Sequence, residues 1–132
     1  MRVLLALAAM TLAGCDPGVI ARFSIVPVPT PAPGDSAAIV AATQLAGALA
    51  ARFQMTALPR DRHCQHAGYW IEDVWSDHRF RLTLCVTSAR GGVEVRVSEF
   101  ITAHWGAKGD SLRDEVHDSL VARFGNAAVT VN

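Results

Sequence analysis

The sequence predicts an α+β domain. The expected form is a two-layer sandwich, with two helices on one face of a mostly antiparallel sheet of about four to five strands. Three observations lead there. Two stretches carry apolar residues at helical spacing, Ala38 to Phe53 and Leu112 to Phe124. Between them lie three runs of β-branched and aromatic residues, two of which alternate apolar and polar side chains. The gaps between those runs are short and turn-forming, which suits hairpins and leaves no room for parallel crossovers.

Each element has its own local reason. Asp35 or Ser36 can cap the first helix, and Ala38, Ala42, Leu45, Leu49 and Phe53 then share a face that should end near Gln54, before Pro59. Tyr69 to Trp75 is the first strand of the meander. In the second, Phe80, Leu82, Leu84 and Val86 face one side and Arg81, Thr83 and Cys85 the other. In the third, Val93, Val95 and Val97 alternate with Glu94, Arg96 and Ser98, after a tight turn at Arg90-Gly91-Gly92. Asp110 or Ser111 can cap the second helix, whose stripe is Leu112, Val116, Leu120 and Phe124; Gly125-Asn126 is its stop signal. Ala127 to Val131 can add a last strand, and Val19 to Ile25 a short edge strand in front. In element order alone the pattern resembles a ferredoxin-like split with an added hairpin strand.

The N-terminus addresses the chain. Met1-Arg2 is followed by Val3 to Ala13 without a charge, which is the plan of a secretory leader. That run is too short for a bilayer span, which needs about 20 apolar residues. It ends Leu12-Ala13-Gly14-Cys15, which resembles the lipobox of bacterial lipoproteins. The resemblance implies a signal peptide over 1–14, diacylglyceryl on the Cys15 thiol, cleavage just before it and acylation, commonly by palmitate, of the new amine. It implies a membrane-anchored protein facing the periplasm. Asp16 resembles the inner-membrane retention signal of enterobacterial lipoproteins, while other lineages read different rules, so the leaflet stays open. Residues 15–35 are expected to be the lipidated N-terminus and a tether, because Val26 to Gly34 alternates proline with other residues and favours a stiff polyproline II rod. The folded domain is then 36–132.

Twelve Lys+Arg balance twelve Asp+Glu, and loss of the leader removes only Arg2. So balanced a chain has no overall field to hold nucleic acid, and no nucleic-acid partner is expected. With Cys15 lipidated, Cys64 and Cys85 are left as an even pair in an oxidising compartment, and a disulfide is expected. If 76–79 is the hairpin turn, Cys85 lies opposite about position 70, on the polar face, and a loop can fold Cys64 onto it. A competing reading takes His63, Cys64 and His66 as metal ligands, with Cys85 completing the set, but their spacing is not that of a zinc finger. Otherwise the metal and cofactor expectation is none.

Catalytic constellations are poor. Ser111, Asp114 and His117 stand three apart on the second helix and read as a solvated side. Glu72, Asp73 and Asp77 are acidic neighbours around the first hairpin, too few oxygens for a Ca²⁺ loop. The chain is therefore expected not to be an enzyme. The aromatics suggest contacts instead: Trp70 beside Arg96 on the wet face, and His104 with Trp105 in the contact loop 102–109 before the second helix. The leading expectation is a non-enzymatic binding or assembly component of the envelope, bound to the membrane by lipid and to an envelope protein partner. An immunity or inhibitor lipoprotein against a periplasmic enzyme, and a metal or small-ligand binder, are the alternatives.

Overall fold

The computed structural model describes residues 18–25, 36–75, 78–89, 92–100 and 104–132. In chain order these form β1 (Gly18–Ile25), α1 (Ser36–Arg52), β2 (Thr56–Ala57), β3 (Ala67–Trp75), β4 (His78–Ala89), β5 (Gly92–Phe100), α2 (Ala107–Phe124), a short 3-10 turn (Asn126–Ala128) and β6 (Val129–Val131). The strands make one six-stranded sheet in the order β2-β3-β4-β5-β1-β6. All its pairings are antiparallel. Apart from β2 and β3, the order β4-β5-β1-β6 with a helix in each crossover is the split βαβ arrangement.

The alternating runs form the sheet because their odd-numbered or even-numbered side chains can all enter one core. Leu82, Leu84 and Val86 from β4 and Val93, Val95 and Val97 from β5 are buried with Phe23 of β1. Against them lie Ala38, Ala42, Ala46 and Leu49 of α1 and Leu112, Val116 and Leu120 of α2. The small alanines let α1 approach closely, while α2 fills the layer with branched side chains. Leu45 and Phe53, expected on the inner face, are half-buried, and Ala46 and Ala50 take the deeper positions. The first helix ends at Arg52, where Gln54 takes φ 57° and Met55 N–H donates to Ala50 O at 2.8 Å. The second ends at Gly125, φ 90°, whose N–H donates to Val121 O at 2.8 Å.

Four expectations are corrected. The strand at 18–25 is not an edge: it lies between β5 and β6, with Phe23 opposite Val95 and Val131. The folded unit therefore starts before residue 36, with β1 at Gly18–Ile25, while the expected proline-rich tether falls on residues that are not described. The β3–β4 hairpin is tighter than assumed, with Trp75 opposite His78, so Cys85 faces Gly68 and not position 70. The second helix starts at Ala107 with Gly106 as its cap, three residues before Asp110. Residues 1–17, including Leu12 to Cys15, and all of 26–35 lie outside the described residues.

Candidate functional site

Both helices pack on one face of the sheet, so the other face is free for a different covering. Part of it is covered by residues 58–66, which cross from β2 to β3. Asp61 organises that loop: its carboxylate accepts from His63 N–H at 2.7 Å and Cys64 N–H at 2.9 Å. Those two N–H groups hold the Asp61 carboxyl below its ordinary range. Cys64 is joined to Cys85 with Cα atoms 5.0 Å apart, which fastens the loop to the centre of the sheet. The bridge passes over Gly68, where a Cβ would come within 3.0 Å of the Cys64 Cβ. Gln65 and His66 add clips: Gln65 Oε1 accepts from Thr87 Oγ1 and Ser88 N–H, each at 3.0 Å, and His66 Nε2 lies 2.7 Å from Ser88 Oγ.

Beside the loop a groove of about 500 Å³ opens on the sheet face, floored by Thr83, Cys85 and Ser98 and edged by Ile20, Arg81 and Arg96. The two floor hydroxyls, Thr83 Oγ1 and Ser98 Oγ, bond to each other at 2.5 Å. Arg96 Nη2 donates to His63 O at 3.2 Å, and the Arg81 guanidinium stacks 5.0 Å from the centre of the Trp70 ring. Arg81 and Arg96 thus bring two fixed cations to the groove. Among the described lining residues Asp61 is the one acid, and its charge is engaged by the loop's own N–H groups.

The residues expected to form an interface divide between two places. Trp70 and Arg96 are on the open face, as the alternation predicts. Trp105 is on the other side of the sheet, half-buried against the helical core under the Arg113 guanidinium, 5.3 Å from its ring centre. His104 is exposed just before it. Residues 107–109, expected in a contact loop, are the first turn of α2, and Gly109 is buried. The proposed ligand set His63, Cys64 and His66 does not converge: the Cys64 sulfur is bonded to Cys85, and the His66 ring is turned to Ser88. His117 pairs with Asp118 at 3.2 Å, and its ring lies 5.9 Å from that of Phe23; Ser111 and Asp114 are exposed.

One feature of the helical face escaped the sequence reading. Asp73 and Glu99 are both buried, at 2% and 0% exposure, beneath the N-terminus of α2. Gly109 N–H donates to Asp73 Oδ2 and Gly106 N–H to Glu99 Oε2, both at 2.9 Å, and Asp73 Oδ1 accepts from Val74 N–H at 2.8 Å. The helix has no side-chain cap of its own, so the sheet supplies it. Only glycine permits this approach: a Cβ at 106 would overlap the Asp73 carboxylate and one at 109 the Glu99 carboxylate. The signal was present in the strand phases. Asp73 is in phase with Tyr69 and Ile71, and Glu99 with Val93, Val95 and Val97, which places both acids on the core side.

Gly109→Ala should therefore destabilise the fold by about 1–3 kcal/mol through overpacking, although alanine favours a helix by about 1 kcal/mol. Urea denaturation would measure it. A variant more stable than the parent would refute the close approach.

No family model matches the chain, and neither the curated proteins nor the solved structures gave a match to it.

Proposed function

We propose that this protein is a small, non-enzymatic lipoprotein, anchored by lipid on Cys15 and facing the periplasm, that binds another protein of the cell envelope through the open face of its sheet. The observation that supports this reading is the groove beside the stapled loop. Its chemistry is that of a recognition surface: two arginines, one stacked on a tryptophan, above a floor of hydroxyls, with Ile20 42% exposed at its rim. Its net charge suits an acidic segment of the partner, held by charge-assisted hydrogen bonds. A rigid floor helps, because a groove already formed costs little ordering on binding.

Affinity capture tests this. The full-length chain, tagged after Asn132, is taken from detergent-solubilised envelopes beside an Arg81→Glu, Arg96→Glu variant. The expected result is one stoichiometric protein retained by the parent and lost at least tenfold by the variant. Equal recovery of the same proteins by both would sink the open face as the docking surface. A retained partner that is a periplasmic enzyme, inhibited by the chain, would assign the inhibitor role.

A further inference from the structure

We infer that the described end of the β3–β4 hairpin, Val74 with His78 and Arg79, and the first turn of α2 rest on the membrane surface that carries the lipid anchor, with Arg79 and Lys108 against anionic phospholipid headgroups. This rests on the lipoprotein reading above and adds to it which end of the domain meets the bilayer.

Chain length carries the argument. Only Asp16 and Pro17 separate Cys15 from Gly18, the first residue of β1. Three residue steps span at most about 11 Å. An acylated Cys15 lies at headgroup level, so Gly18 is held within that distance of the headgroups. Gly18 pairs with Phe100 of β5, and Leu82 of β4 pairs with Glu99, so Arg81 stands at the level of Gly18. The hairpin continues past that level for three more residues, to His78 opposite Trp75. Three strand residues add about 10 Å. The hairpin tip thus projects beyond the start of β1 by about as much as the link to the lipid can reach. A domain standing on this anchor brings the tip to the headgroups.

The chemistry at that end fits. His78, Arg79, Arg81 and Lys108 are exposed, the Arg79 side chain at 76%. Lys108 Nζ donates to Glu72 O at 3.1 Å, which ties the helix turn to the hairpin in one surface. Among the described residues two exposed acids there are already engaged: Glu72 Oε2 is 3.4 Å from Arg79, and Asp110 pairs with Arg113 at 3.0 Å. Val74 is 55% exposed and Phe80 half-buried, so apolar and aromatic groups accompany the cations as they do at bilayer interfaces.

The test uses full-length protein purified from envelopes and placed in nanodiscs containing phosphatidylglycerol and a trace of headgroup-nitroxide lipid. The mass of the N-terminal peptide is read first. With the lipid present on Cys15, the amide signals of Val74, Arg79 and Lys108 are expected to lose at least half their intensity, while those of Ala89 and Gly125 at the far end keep theirs. An Arg79→Glu, Lys108→Glu variant should recover most of the loss while its other amide shifts stay in place. Full intensity at Val74, Arg79 and Lys108 in a lipidated protein overturns this inference and leaves the lipoprotein reading standing. A Cys15 that carries no lipid overturns both.

Discussion

Replacing Cys64 and Cys85 together with alanine is expected to lower the unfolding free energy by about 3 kcal/mol. The bridge joins residues 21 apart, and the chain entropy of a loop that long sets the figure. In a domain of this size that is a fall in melting temperature of roughly 15 °C. Alanine is the appropriate replacement because both cysteines are buried, at 7% and 5% exposure, where a serine hydroxyl would add its own desolvation penalty. The loss should have a spatial signature. Residues 58–66 keep the Asp61 turn and the Gln65 and His66 clips, but lose the bond that presses them to the sheet. Amide exchange should therefore quicken at 61–64 before it does in β4. Calorimetry of the parent with and without reductant gives an independent measure. Unchanged melting with both thiols titratable would show that the bridge does not hold the native protein.

This prediction also links stability to recognition. Arg96 reaches the His63 carbonyl, so the stapled loop sets the pose of one of the two groove cations. A protein without the bridge is expected to bind its partner more weakly even at temperatures where it remains folded, because the loop must then be ordered on binding.

The sheet was legible because its strands are amphipathic at a period of two, and the period alone orients Cys85, Thr83, Arg96 and Trp70 outward. The disulfide was legible for the same reason, once Cys85 was placed on the face that a preceding loop can reach. The element order was legible too, but the place of β1 was not. Val19 to Ile25 is apolar enough for a strand, and the prolines after it suggested a tether. What decides its place is Phe23, whose partners Val95 and Val131 lie far along the chain. No local pattern encodes such a pairing. The start of α2 was misplaced for a related reason. Asp110 and Ser111 are good caps in isolation, but the helix is capped by carboxylates from β3 and β5, which no local rule anticipates.

Those carboxylates set the second large effect, the dependence of stability on pH. Burial is the main cause that raises the Glu99 carboxyl above its ordinary value of 4.5, with the Asp73 carboxyl and Asp110 adding to it and the Gly106 N–H opposing; the result is pushed up to about 7. Glu99 Oε1 is buried with no donor among the described residues reaching it, so a proton there satisfies the atom and lets it donate to Asp73. The other charges near this turn are on α2: Lys108, bound to the Glu72 carbonyl, and Arg113, paired with Asp110 and stacked on Trp105. In the unfolded chain Glu99 releases its proton near the ordinary value, while the folded protein keeps it. The contribution to stability is therefore fully present below about pH 4.5, falls as pH rises through 7, and is absent above. Its full size is at most about 3 kcal/mol. Glu99→Gln keeps a neutral group of the same shape, with an acceptor for Gly106 N–H and a donor toward Asp73. Urea denaturation of both proteins from pH 5 to pH 8 should show the parent losing stability relative to the variant as pH rises, with the variant the more stable at pH 8. Parallel curves would mean that Glu99 holds no proton in this range.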